Sequence, residues 1–372
     1  MEKLPRALLL ALGGLGLLAG LDAALLLLGL PAPVVGERLP DVHGPVLVLG
    51  FVGTVVALER AVALRRGWGH LAPALLGLGG VTAVVDRVPA GLPPMLALGG
   101  TVALGAVYVG LWRRQPSDAL AVQVLGAVAA IGAALLWCAS VPVPTIVPWF
   151  TAFVVLTIVG ERIELARLAI SDAQARVAAL LAAGVLGATA AATLWPGPGH
   201  VLLGACLLVV VAWLVRHDVA RRTAHATGLP RFVACSLLAG YAWLAVAGAV
   251  WVVLGAVSGP AYDAVAHAVF LGFTLAMIMA HAPIVLPAVL RRALPYHPAM
   301  WAPVVLLHGS LALRLVGGDA HGATWALQTG GALNIAAVLS FLGVAVWSAT
   351  RRRRPDTPER APEAPGALVV TA

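Results

Sequence analysis

A succession of long apolar stretches, separated by short polar connections, constrains this chain more than any other feature of its sequence. A helix needs about 17–25 mostly apolar residues to cross a bilayer, and only helices and closed barrels satisfy their backbone there. Hydrophobic residues make up 61% of the chain and charged residues 11%, which excludes an ordinary soluble domain. We therefore predict an all-α polytopic membrane protein with about twelve transmembrane helices, near residues 7–30, 43–64, 71–88, 94–112, 119–140, 146–168, 176–195, 199–216, 230–256, 263–290, 300–317 and 324–349.

The basic residues predict how these helices are oriented. The chain has 24 Lys and Arg residues. Arg38 and Arg87 fall in one set of alternate connections, and Arg60 and Arg314 fall within apolar stretches. The remaining 20 lie in the other connections, at the helix ends next to them, or at the termini. The positive-inside rule then places both termini in the cytoplasm, and we expect a multi-pass protein of the cell (inner) membrane.

The chain divides into one membrane domain and a tail. Residues 1–350 are predicted to form a single transmembrane helical domain, whose first helix is a retained signal anchor because its apolar stretch has no clean cleavage site. Residues 351–372 are basic and rich in proline, which is typical of a disordered cytoplasmic tail. The lipid bilayer is the predicted partner, and the scattered basic clusters do not indicate nucleic-acid binding.

A weak internal repeat relates helices four apart. Leu49-Gly50-Phe51 in the second stretch aligns with Leu271-Gly272-Phe273 in the tenth, and a second shift aligns Glu59-Arg60 with Glu161-Arg162 in the sixth. Helices two, six and ten are then equivalent, which favours a fold of three four-helix arcs.

The tenth stretch carries two histidines, His267 and His281, that are 14 residues apart. In a regular helix they are separated by about 21 Å along the axis and by about 40° around it. We therefore expect them to face the same way, one near each leaflet. Histidines within a membrane helix usually have a functional or pairing role.

His43 and His267 form the first candidate pair. Both helices run in the same direction, so the two imidazoles are predicted to lie at similar depth near the outer leaflet. Two neutral imidazoles that face each other across a bundle are the arrangement that binds a haem iron axially. The alternative is that His43 simply ends a helix and that His267 forms a hydrogen bond between helices.

His281 and His308 form the second candidate pair, because adjacent antiparallel helices place them at one depth toward the inner leaflet. They could share copper or another metal, bond to each other, or belong to a proton path. Alternatively, the imidazole of His281 satisfies a carbonyl that Pro283 or Pro287 leaves free in the helix.

Buried charges form a further polar cluster. Glu59 and Arg60 in helix two and Glu161 and Arg162 in helix six lie at the same level, together with Glu164 and Arg167. Opposite charges at one depth predict ion pairs between helices, with a proton pathway as the alternative.

Arg314 lies within the eleventh stretch near the predicted depth of His267. A buried arginine needs an anion. A haem propionate would supply it, and so would Asp263 or Asp319.

These positions resemble a known arrangement. Twelve helices in three arcs, with His43-Gly44 opening helix two and His267 near the outer end of helix ten, are similar to the haem–copper oxidases, in which those two positions hold the low-spin haem. The Leu49-Gly50-Phe51 and Gly272-Phe273 segments, followed by another histidine and a basic connection, look more like the NnrS family. That family comprises twelve-helix haem- and copper-associated membrane proteins linked to nitric oxide stress and denitrification.

The resemblance implies a b-type haem on His43 and His267, with Arg314 as a propionate partner, and a role in electron transfer or in the response to nitric oxide and other nitrogen oxides. It does not imply a binuclear oxygen-reducing site. The oxidases need a histidine in helix six and a histidine pair in helix seven, and here Glu161-Arg162 occupies the helix-six level. If the protein is an enzyme, it is expected to be a haem-dependent oxidoreductase.

Two other classes of function stay open. One is a proton-coupled secondary transporter that uses Glu59, Glu161 and His281. The other is a non-catalytic assembly factor of a respiratory complex. Neither a nucleophile–base pair nor a glycine-rich phosphate loop is present, which argues against hydrolysis and phosphoryl transfer.

Overall fold

The computed structural model describes residues 3–166 and 170–350. Within these ranges the chain folds into helices and connections without β-strands. The prediction of a disordered tail over 351–372, and that of Arg167 as a member of the charged cluster, lie outside the described residues. The principal helices, in chain order, are α1 (Lys3–Leu27), α2 (Leu39–Leu64), α3 (Leu71–Ala83), α4 (Leu92–Trp112), α5 (Asp118–Cys138), α6 (Val143–Leu165), α7 (Asp172–Leu194), α8 (Pro196–His217), α9 (Gly228–Leu254), α10 (Gly259–Leu290), α11 (Pro298–Ala320) and α12 (Thr324–Thr350).

Eleven of the helices in the described ranges are long and apolar enough to cross a membrane. The exception is α3, which has 13 residues and ends at Ala83 rather than near residue 88 as predicted. Thirteen residues extend only about 20 Å, less than a hydrocarbon core of about 30 Å. The helix stops because the charged residues Asp86 and Arg87 follow, and the backbone turns there. The prediction of an all-α multi-pass membrane protein is confirmed.

Every fourth helix, from α2 onward, is more buried than the other membrane-spanning helices. In α2, α6 and α10 the buried share of the most apolar window is 67%, 78% and 67%, whereas in the other spans it is between 33% and 50%. The three helices that the repeat makes equivalent are therefore the innermost ones. This is the pattern that the interpretation as three arcs predicts.

Glycine allows two of the inner helices to approach their neighbours closely. A Cβ atom on Gly50 of α2 would lie 2.8 Å from the Cα of Gly80 in α3. A Cβ atom on Gly160 of α6 would lie 2.7 Å from the carbonyl oxygen of Ala119 in α5. Small residues at such crossings are the usual means by which membrane helices pack, because apolar burial alone does not hold them together in lipid.

Three helices contain π-helical turns, which cover Val46–Gly53 in α2, Ala268–Leu275 in α10 and Leu313–Ala320 in α11. The first two each begin three residues before the Leu-Gly-Phe sequence of the repeat, so the repeat extends to backbone conformation. π-Helical turns are rare and occur mostly at functional sites. Each of these turns lies next to, or includes, one of His43, His267 and Arg314.

The two ends of the bundle differ in their content of arginine. The connections after α2, α4 and α10 carry paired arginines at positions 65 and 66, 113 and 114, and 291 and 292, and this is the basic end. His43, near the start of α2, lies toward the opposite end.

Candidate functional site

A cavity of about 1020 Å³ lies at the end of the bundle opposite the basic end. Residues of α1, α2, α6, α10, α11 and α12 line it, and most of them are apolar. His43, His267 and Arg314 all lie on its wall, together with Asp263 and Tyr262. The three residues that the sequence nominated for one cofactor site are thus brought together from three helices.

The imidazole of His43 is fixed by one ring nitrogen. Its Nδ1 lies 2.9 Å from the carbonyl oxygen of Gly20 in α1. Since a carbonyl only accepts hydrogen bonds, Nδ1 carries the proton, and Nε2 of the neutral ring is an unprotonated acceptor. Among the described residues no donor bonds to this Nε2. Gly20 packs so closely on α2 that a Cβ atom there would lie 2.4 Å from Leu47, which brings α1 within reach of the ring.

The imidazole of His267 is held in the same state. Its Nδ1 donates to the carbonyl oxygen of Asp263, one helical turn earlier, at 2.8 Å, and lies 3.2 Å from the carboxylate Oδ1 of Asp263. Its Nε2 has no hydrogen-bond partner in the described part of the chain. Two Nε2 atoms without a hydrogen-bond partner in the described residues therefore belong to one cavity.

Arg314 forms an ion pair with Asp263, one of the three anionic partners considered from the sequence. Its Nε and Nη2 both donate to the carboxylate, and the shortest contact is 2.8 Å. Asp263 therefore joins Arg314 to His267, and all three lie within electrostatic range of His43. Asp319 is nearby, but the hydrogen bonds of the Arg314 guanidinium in the described residues go to Asp263. The Oδ2 of Asp319 is buried without a hydrogen-bond partner in that part of the chain.

His281 does not lie on this cavity, and both of its ring nitrogens are occupied. Nδ1 donates to the carbonyl oxygen of Met277 at 2.8 Å, and Nε2 accepts from Nη1 of Arg162 at 3.3 Å. His267 faces the cavity and His281 faces Arg162, so the two histidines of α10, which were predicted to lie one near each leaflet, belong to different sites. The bonded carbonyl belongs to Met277, which is not one that Pro283 or Pro287 frees.

His308 has a separate environment. Trp243 donates its Nε1 hydrogen to Nδ1 of His308 at 3.0 Å, so the ring proton of His308 is on Nε2, which is buried without a partner among the described residues. No hydrogen bond joins His281 to His308 in the described ranges, and no group of three or more metal-binding side chains occurs there. Because neither nitrogen of His281 is free, this arrangement does not fit a copper ion shared by the pair.

The predicted charged cluster forms between α2 and α6, around Arg60. Its guanidinium lies 2.7 Å from Glu59, 3.5 Å from Glu161 and 3.1 Å from Glu164. Gln123 of α5 bonds to both Arg60 and Glu164. The expectation of ion pairs between helices two and six therefore agrees with the contacts, with Arg60 as the common partner.

Arg162, which was predicted to belong to that cluster, pairs instead with Asp218, a residue that was not predicted from the sequence. Asp218, just after α8, accepts two hydrogen bonds of 2.7 Å from the guanidinium and another from the hydroxyl of Tyr241. Burial alone would raise the pKa of Asp218, but the hydrogen bonds and charge of Arg162 bring it below its ordinary value. Asp218 follows Arg216 and His217 in a polar connection, so its sequence context indicated a solvated residue.

Comparison with known proteins gives one family. No curated protein matches the chain. The model of a family described as a domain of unknown function, DUF8744, matches residues 6–350, which include nearly all of α1 and the whole of α2–α12. The chain is therefore a member of the DUF8744 family.

Proposed function

We propose that the chain is an integral membrane haem protein in which His43 and His267 are the axial ligands of a b-type haem. The observation that carries the proposal is the common state of the two imidazoles. Each has Nδ1 bound to a backbone carbonyl and Nε2 without a hydrogen-bond partner among the described residues, and both line one cavity. A histidine that binds a metal through Nε2 has its tautomer and orientation set by such a bond at Nδ1.

The walls of the cavity suit a large, flat and mostly apolar group. Its volume of about 1020 Å³ lies at the upper end of the range of about 300–1,000 Å³ that is usual for small-molecule sites. Aromatic side chains of Phe51 and Phe270 contribute to the lining. Nη1 of Arg314 has no partner among the described residues, so it can bind an anionic edge such as a propionate while Nε and Nη2 hold Asp263.

The ligand set also bears on the role of the haem. Two axial histidines leave no open position on the iron, which favours electron transfer over the reduction of oxygen or nitric oxide. A redox partner in the same membrane is part of the proposal. A role in the response to nitrogen oxides and a bacterial-type inner-membrane location rest on the NnrS resemblance, and the cytoplasmic position of the termini rests on the distribution of basic residues.

The test is an optical spectrum of the detergent-purified protein, from haem-replete cells, before and after reduction with dithionite. We expect a six-coordinate, low-spin b-type spectrum that is lost in His43→Ala and in His267→Ala. His200→Ala is the matched control, because this partly exposed histidine also bonds through Nδ1 to a helix carbonyl but lies outside the cavity. A folded wild type without haem absorbance, or a spectrum that both alanine variants retain, would refute the proposal.

A further inference from the structure

A second polar site lies toward the basic end of the bundle, away from the haem cavity. Arg60 is within 3.5 Å of Glu59, Glu161 and Glu164. The neighbouring cation, Arg162, is already paired with Asp218. If all three glutamates were ionised, the cluster would carry two uncompensated negative charges.

The charges are unequally exposed. Arg60 is 8% exposed and Glu161 15%, whereas Glu59 is 26% and Glu164 54% exposed. Exposure thus decreases from Glu164, near the end of α6, inward to Glu161. Uncompensated charge at the inner positions of a membrane helix is costly, and carboxylates that share a site relieve the cost when one of them binds a proton.

A buried hydroxyl supplies a possible acceptor for a protonated carboxyl inside the cluster. Tyr108 of α4 is completely buried, and its hydroxyl has no hydrogen-bond partner in the part of the chain that the structure describes. It lies within electrostatic range of Arg60 and of all three glutamates. The Nε of Arg60 is likewise buried without an acceptor. Buried polar groups are normally satisfied, and a hydroxyl oxygen can accept a hydrogen bond, so the unpaired hydroxyl of Tyr108 can take the O–H of a protonated carboxyl. The Nε–H of Arg60 is a donor and needs a separate acceptor, such as a water molecule.

We propose that this cluster is a proton-binding site, with the proton held on Glu161 and exchanged with water through Glu164. Arg60 holds the three carboxylates together, and Tyr108 and Gln123 close the site on the sides of α4 and α5. The ionisable groups that face Glu161 are Glu59, Arg60, Tyr108, Arg162 and Glu164. The proposal does not depend on haem, since none of these residues lines the cavity.

The test is infrared spectroscopy of the full-length protein in lipid at neutral pH. A protonated carboxylic acid has a C=O stretching band distinct from that of a carboxylate, and the band shifts in D₂O. We expect this band in the wild type, its loss in Glu161→Gln, and its retention in Glu164→Gln and in the control Asp86→Asn, which changes an exposed turn residue.

Tyr108→Phe keeps the proposal testable if Glu161→Gln does not fold. This variant removes only the hydroxyl, and we expect the band to remain but to change frequency, since its hydrogen bonding changes. A folded wild type without the band would refute the proposal, because all three carboxylates would then be ionised and a metal cation would have to balance them. A band that Glu164→Gln abolishes would refute it as well, because the proton would then belong to a surface carboxyl.

Discussion

The pair formed by Arg162 and Asp218 offers the sharpest test of how the bundle is held together. Both side chains are buried, and two hydrogen bonds of 2.7 Å join them. Tyr241 and the backbone N–H of Ala220 complete the shell of Asp218. The pair thus ties α6 to α9 and to the connection after α8, three segments far apart in sequence.

Asp218→Asn removes the negative charge with almost no change in shape. It leaves the guanidinium of Arg162 buried without a counter-ion, and the loss of one partner of a buried pair typically costs about 3–5 kcal/mol. Tyr241→Phe removes one hydrogen bond to a charged group, worth about 1.5–3 kcal/mol. Because both changes act on the same carboxylate, we expect the double variant to lose less stability than the two single losses combined.

The assay is thermal unfolding in detergent, followed by circular dichroism, with Asp86→Asn as the exposed control. A pH series adds an independent check. The folded pKa of Asp218 lies below the unfolded value of about 3.9, so the pair contributes stability above that pH and loses it as the pH falls through the folded pKa. Wild type should therefore lose this contribution below about pH 4, and Asp218→Asn should not. Equal stability of Asp218→Asn and the control at neutral pH would show that the pair is not a structural tie.

The remaining predictions concern the proposed haem site, one close contact between helices and one buried hydrogen bond. Asp263→Asn weakens the carboxylate support of His267, and we expect a loss in haem affinity of about 10–100-fold, measured by titration of the haem-free protein. Gly50→Ala forces α2 away from α3 and should cost about 1–3 kcal/mol in thermal unfolding, whereas Gly14→Ala, with open space around it, should not. Trp243→Phe leaves Nδ1 of His308 buried without its donor, and a destabilisation of about 1–3 kcal/mol is expected in the same assay.

The sequence predicts what depends on position along a helix axis. Apolar length identifies the spans, and counting residues from their ends places His43, His267 and Arg314 at one depth, where the structure brings them to one cavity. The same counting places Glu59 and Arg60 level with Glu161, and these residues are in contact or share Arg60.

Partners that depend on connections or on backbone atoms could not be predicted in this way. Asp218 lies outside every span, and its position on Arg162 follows from the path of the chain after α8. The carbonyl oxygen of Gly20, which fixes His43, carries no sequence signal of its own. His281 and His308 were predicted to lie at equal depth, but they have different partners, Arg162 and Trp243. Depth along the helices is therefore not enough to predict which side chains meet.

The π-helical turns limit how far rotation about a helix axis can be predicted by counting residues. The angle of about 40° between His267 and His281 assumes about 100° per residue throughout. The eight residues Ala268–Leu275 lie between them and form π-helical turns, which advance by fewer degrees per residue because each hydrogen bond spans five residues instead of four. The deficit accumulates over the turn and changes the direction of everything that follows it. His267 precedes the turn and faces the cavity, whereas His281 follows it and faces Arg162. In α2 the turn Val46–Gly53 lies between His43 and Glu59 in the same way. At about 1.5 Å per residue, the two polar residues of each helix are about 21–24 Å apart along the axis, and this distance alone places them at different sites.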